Sequence, residues 1–141
     1  RYWRDWSSDV CSSDLDQWVH SQLLKRGWVS PEDPNIYYIA KNPQDAARHL
    51  IRFYRNYHSS RYVRDQLVIR VRRAFRPEDV QRLESEFKVL IKTGGMTQHM
   101  GPVEGEDGFP ELPRIAFHHT KYKYGMVRAL IDRINDLDPA P

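Results

Sequence analysis

The chain has almost no sulfur chemistry to offer: one cysteine in 141 residues, Cys11. A lone cysteine excludes an internal disulfide and a thiolate metal cluster. It also stands in the stretch Arg1–Leu15, where Asp5–Leu15 reads as the translation of a sequencing-library adapter and Arg1–Arg4 as the index bases before it. Such a segment carries no information about the fold, so native sequence is expected to begin near Asp16 and the true amino-terminal part to be missing. Setting it aside removes Cys11, Trp3, Trp6, two arginines and three aspartates. That leaves 126 residues with 20 basic against 16 acidic side chains, a net charge of +4. Long apolar runs are absent too, none approaching the ~18 residues that a membrane span requires. Glycine is scarce, at seven, and no glycine-rich loop lies between a strand and a helix, where a phosphate cradle would be built. A Ser/His/Asp or Cys/His set, a paired-carboxylate site and a His-Glu-x-x-His helix are likewise missing. No catalytic residue, metal site or cofactor is expected from the residues themselves.

What is present is helix punctuation. Asp16–Arg26 carries Trp18, Val19, Gln22 and Leu23 at helical spacing and stops at Gly27. Ser30-Pro31-Glu32-Asp33, Asn42-Pro43-Gln44-Asp45 and Arg76-Pro77-Glu78-Asp79 each read as a helix start, with proline where its missing N–H is harmless and acids at the positive end of the dipole. Between the first two, Ile36–Ala40 is β-branched and aromatic and predicts a buried strand. The helix after Asn42 would pack through Ala47, Leu50, Ile51, Tyr54 and Tyr57. Helix, strand and capped helix together predict the closing portion of an α/β sheet over residues 16–58.

Residues 59–135 have another texture. Gln66–Val71 alternates, with Leu67, Ile69 and Val71 on one face and Val68 and Arg70 on the other. Pro77–Ile91 is amphipathic and would end at Gly94-Gly95. Met96–Val103 and Arg114–His118 predict strands, Glu104–Pro113 an exposed loop, and Tyr122–Ile134 a last helix. The order βαββα predicts a small α+β unit, followed by a disordered tail over 136–141.

Six histidines, His20, His49, His58, His99, His118 and His119, show no ligand spacing and read as ordinary surface residues. His118 and His119, neighbours on a strand, would point to opposite faces. Arginines from Arg48 to Arg76 interleave with Phe53, Tyr54, Tyr57 and Tyr62, a pattern that suits phosphate neutralisation and base stacking but equally a solvated basic face. The densest run, Phe53–Tyr62, lies at the seam between the two units. It crowds Arg55, His58 and Arg61 into one junction, the candidate ligand-binding residues, although a seam whose polar groups cap helix-end carbonyls would look the same.

These features in this order resemble the end of the LOG family, Rossmann-like proteins once labelled possible lysine decarboxylases. The likeness is carried by the helix Asp16–Arg26, Gly27-Trp28-Val29-Ser30-Pro31, the strand Ile36–Ala40 and the capped helix from Asn42. Phe53–Val63 and the stretch from Leu112-Pro113-Arg114 to Ile134-Asn135 resemble the longer bacterial members, which have a C-terminal extension. The resemblance implies a Rossmann-like sheet closed by residues 16–58. It implies a cytoplasmic, homodimeric nucleoside 5′-monophosphate phosphoribohydrolase that releases the base from AMP or cytokinin nucleotides without a cofactor. The family's Pro-Gly-Gly-x-Gly-Thr-x-x-Glu signature is not in this sequence and would lie upstream of Asp16, so the chain itself is expected to be inactive. The other reading left open is a basic α+β module that binds nucleic acid or senses a nucleotide, without catalysis.

Overall fold

The computed structural model describes residues 14–137; the adapter-like stretch up to Ser13 and the tail from Asp138 lie outside the described residues. Helix α1, residues 14–24, passes into a π-helical turn over Val19–Leu24, and Gly27 at φ +68° reverses the chain where a stop was expected. The next expected helix start yields only a 3-10 turn, Asp33–Ile36, opened by the Ser30 amide donating to Asp33 Oδ2 at 2.8 Å. Helix α2, Pro43–Phe53, begins as expected: the Asp45 amide donates to Asn42 Oδ1 at 2.8 Å, with Pro43 in the first turn.

Four strands follow, β1 Tyr57–Val63, β2 Gln66–Val71, β3 Ile91–His99 and β4 Arg114–His119, with α3, Pro77–Glu86, before β3 and α4, Tyr124–Asp136, after β4. They form one antiparallel sheet in the order β1-β2-β4-β3. The architecture is mixed α/β, and the second unit runs ββαββα rather than βαββα. Its extra strand, β1, takes up most of the Phe53–Tyr62 run, so the seam drawn between residues 58 and 59 falls inside a strand.

The alternation expected in β2 holds. Leu67, Ile69 and Val71, with Ile115 and Phe117 of β4, face Leu83 of α3 and Leu130 and Ile134 of α4 in the main core. On the other face Val63, Val68 and Ala116 form a small second cluster under Val103.

Three expectations are corrected. Ile36–Ala40 is not a strand: Tyr37 is extended, but no described strand runs beside it, and an unpaired strand has nowhere to place its backbone hydrogen bonds. Gly94-Gly95 does not end a helix. Helix α3 stops at Glu86, a short 3-10 turn at Lys88–Leu90 follows, and Gly94 at φ +71° sits in an irregular stretch of β3 between Thr93 and Thr97. The helical face Leu50, Ile51 and Tyr54 is exposed rather than packed, whereas Tyr57 does enter the core.

From residue 14 to 55 no residue is buried; the first is Asn56. The seam itself is tied by two asparagines. Asn135 Oδ1 accepts from the Asn56 and Tyr57 amides at 2.8 and 2.9 Å, and its Nδ2 donates to the Phe53 carbonyl. Asn56 in turn receives the Arg73 amide at 2.9 Å.

Candidate functional site

The register of the sheet lines up the polar residues on the face away from the helices. Ser59, Arg70, Arg114 and His99 form one cross-strand row, Arg61, Val68, Ala116 and Thr97 the next, and Val63, Gln66, His118 and Thr93 the third. Arg70 and Arg114 are therefore direct neighbours, a like-charge pair that would destabilise the sheet unaided.

The loop between β3 and β4 resolves that conflict. It is largely exposed, as expected, but it lies across the sheet as a strap, with the Glu106 carboxylate turned inward and fully buried. One oxygen of Glu106 accepts from Arg70 Nε at 2.7 Å and the other from Arg114 Nε at 2.7 Å. Arg114, wholly buried, also donates to the carbonyls of Gly108, Phe109 and Leu112. Burial pushes the Glu106 pKa up, but Arg114, the Val103 amide and Arg70 together hold it below the ordinary carboxylate range. Gly105 and Gly108, at φ +86° and +83°, give the strap the turns that aim Glu106 inward.

Two further acids of the strap meet arginines of β1 and its turn. Asp107 pairs with Arg61 at 2.8 Å, and Glu104 with Arg64 at 3.3 Å. His58 packs edge-on against Phe109 at 4.6 Å and bonds Ser59 at 2.9 Å. Of the three candidate ligand residues, His58 and Arg61 thus meet the same strap, while Arg55 is exposed on the turn between α2 and β1. Five of the nine arginines in the run Arg48–Arg76 face carboxylates: Arg48 meets Asp45, Arg52 Asp136, Arg61 Asp107, Arg64 Glu104 and Arg70 Glu106.

Beyond the strap the sheet ends in two adjoining clefts that share Asp65 and His118. The broader one, about 640 Å³, runs along Gln66, Thr97 and His99 beside the strap. The other, about 450 Å³, is bounded by Asp65, Lys92, Thr93 and the segment His118–Tyr122. Here the histidine pair divides as the strand predicts. His118 is partly exposed on the strap face, its Nε2 3.5 Å from Gln66 Nε2. His119 is a correction to the surface reading: it is 2% exposed, among Tyr62, Phe117 and Tyr124.

Burial lowers the His119 pKa, with the Tyr122 backbone opposing, so the ring is neutral at pH 7. Its Nδ1 bonds the Tyr62 hydroxyl at 2.5 Å. The Tyr62 pKa is pushed up to about 12 by burial and by Tyr124, so that phenol keeps its proton.

The arrangement offers charge and hydrogen-bond donors, with no nucleophile–base pair in it. Among the described residues no group of His, Cys, Asp and Glu could hold a metal ion, and no helix is long and apolar enough to cross a membrane. Sequence reasoning missed Arg70, Arg114 and Glu106. The available signal was a long Gly/Pro-punctuated connection, a type that often folds onto its own domain. No family model matches the chain, and no curated protein or solved structure matches it either.

Proposed function

We propose that this chain is the carboxy-terminal part of a LOG-type nucleoside 5′-monophosphate phosphoribohydrolase and supplies it with a non-catalytic module. In this reading the catalytic glycine loop and glutamate belong to a Rossmann-like body, which residues 16–58 help to close. Residues 59–135 are the extension appended to it. The working protein is a cytoplasmic homodimer acting on a purine nucleotide such as AMP.

One observation carries the reading. Residues 14–55 form helical turns and the capped helix α2 yet contain no buried residue, leaving Trp18, Trp28, Ile36, Leu50, Ile51 and Tyr54 exposed. So many exposed large apolar side chains are what a region built to pack against another body would present. The already extended backbone at Tyr37 suits a strand joining a neighbour there. The resemblance in sequence supplies the identity of that body.

The test has two parts. The chain alone should release no adenine from AMP. The source locus, amplified across the codons before Asp16 without library adapters, should encode Pro-Gly-Gly-x-Gly-Thr-x-x-Glu upstream, and the protein made from that frame should release the base. Base release by the chain alone, or an upstream frame without the signature, contradicts the proposal. A nucleic-acid-binding module is the competing reading. Five of its nine arginines would have to give up their carboxylates first, so weak retention on heparin in moderate salt is expected.

A further inference from the structure

The cleft at the end of β4 includes two polar atoms that the protein itself leaves unpartnered. Nε2 of His119 and Oγ1 of Thr120 are both buried and have no hydrogen-bond partner. Buried polar atoms are nearly always paired, so two orphans on consecutive residues call for an explanation. Both residues line the cleft, with Lys92, Thr93, His118 and Lys121 around them. The segment that follows is held in an unfavourable conformation: Lys121 and Lys123 both adopt φ +61°, in the left-handed region that side chains other than glycine disfavour. Such strain concentrates where a backbone is shaped for binding.

The polarity of these groups selects the ligand. Nδ1 of His119 is engaged by the Tyr62 hydroxyl at 2.5 Å, so Nε2 is the ring nitrogen left without a partner. Thr93 and Thr120 hydroxyls and two ammonium groups complete a set dominated by donors. The one carboxylate, Asp65, is bound to Lys121 at 2.7 Å, and its pKa is lowered first by Lys121 and further by Lys92 and His118. Two lysines against one aspartate leave a positive balance. An anion with several acceptor oxygens matches this lining, and a cation does not.

We propose that this cleft binds the phosphate group of a small phosphomonoester, held by Lys92, Lys121 and the Thr93 hydroxyl, with the Thr120 hydroxyl and His119 Nε2 at its base. The volume of about 450 Å³ fits a sugar phosphate or a mononucleotide. Tyr122, half exposed at the cleft, offers a flat surface to a sugar or base beyond the phosphate. The assignment rests on the donors of the cleft and not on the phosphoribohydrolase reading. Failure of base release leaves it standing, and its own failure leaves the enzyme reading standing.

Amide and imidazole NMR shifts of the full chain, titrated with inorganic phosphate, ribose 5-phosphate and AMP, test it. The expected result is saturable binding, with shifts centred on residues 92–93 and 118–122. Affinity should be about tenfold weaker in Lys92→Ala/Lys121→Ala and about threefold weaker in the near-isosteric Thr120→Val. Spectra that superpose away from the cleft establish that each variant is folded. Phosphate binding without a gain for ribose 5-phosphate or AMP would reduce the site to an adventitious ion only and overturn the phosphomonoester assignment. Absence of saturation, shifts centred on Arg72 and Arg73, or unchanged affinity in the double variant would overturn it outright.

Discussion

Helix α2 and strand β2 carry comparable apolar faces and end in opposite environments. Leu50 and Ile51 of α2 are 57% and 75% exposed, whereas Leu67, Ile69 and Val71 of β2 are almost wholly buried. Neither local sequence is defective. α2 has a working N-cap, proline in its first turn and a strongly amphipathic pattern, and β2 alternates cleanly. The difference lies in partners: β2 has β1 and β4 beside it and two helices across it, while α2 reaches the core chiefly through Phe53. Periodicity encodes which face seeks cover, and whether the cover is present is a property of the rest of the molecule. The two regions, residues 14–55 and 56–137, are therefore expected to respond very differently to substitution.

The largest effect should come from the strap. Glu106→Ala leaves Arg70 and Arg114 buried side by side without a counter-charge, and removing one partner of a buried ion network costs about 3–5 kcal/mol. Urea denaturation followed by tyrosine fluorescence should report that loss; a shift below about 1 kcal/mol would mean the strap is held otherwise. Asn135→Ala comes next. It orphans the Asn56 and Tyr57 amides and the Phe53 carbonyl at the seam, which should cost about 2 kcal/mol. The same denaturation series checks it, and a neutral result would detach the seam from the fold of the sheet.

Gly125→Ala sharpens the boundary between the regions. A Cβ there would collide with the Glu32 carbonyl, so the 3-10 turn should lift off α4 and break the Lys123–Glu32 pair. The turn can retreat without opening the core, so the cost should be about 1 kcal/mol, at the low end of overpacking changes. The lift-off should appear as faster amide exchange over residues 28–37 with β1–β4 unchanged; accelerated exchange in the sheet would show that the two regions are not separable.

Two titrations act on the second region alone. His119 is neutral in the fold and protonates more readily when unfolded, so its contribution is complete above the ordinary imidazole value and declines as pH falls below 6.5. Glu106 has a folded pKa below the ordinary carboxylate value, so its contribution is complete above about 4.5 and is lost as pH falls through the lowered value. Denaturation midpoints from pH 8 to 3 should fall in these two steps, and His119→Leu should remove the first. A flat profile down to pH 5 would place the imidazole in water. The smallest effect is expected in the first region: Ile51→Ser should change stability by less than about 0.5 kcal/mol while reducing self-association in sedimentation velocity. Marked destabilisation would mean that α2 has a partner within the chain.

Much of the second region was legible in the sequence, because its signals are local. The alternation of Gln66–Val71, the proline-led start of α3 and the opposed faces of His118 and His119 follow from backbone periods of 3.6 and 2. β1 was missed because Tyr57–Val63 mixes serine, arginine and tyrosine, and its strand character comes from pairing with β2. Gly94-Gly95 misled because glycine marks both helix ends and strand irregularities, and only the tertiary setting separates them. The Ile36–Ala40 strand failed for a related reason: β-branched composition cannot supply a neighbour. The candidate site was legible in part. His58 and Arg61 do meet on the strap, but the contact between Glu106 and two arginines on different strands joins residues 36 and 8 positions apart, which no local pattern reports.

Amide hydrogen exchange on the full chain, read residue by residue, separates the two regions most directly. Amides of β1–β4, α3 and the inner face of α4 should exchange slowly and as one cooperative unit, while those of residues 14–54 exchange orders of magnitude faster, because an isolated eleven-residue helix is marginal without packing. Protection of α2 equal to that of the sheet would contradict the division. It would mean that residues 14–54 complete their own packing and need no further body to cover them.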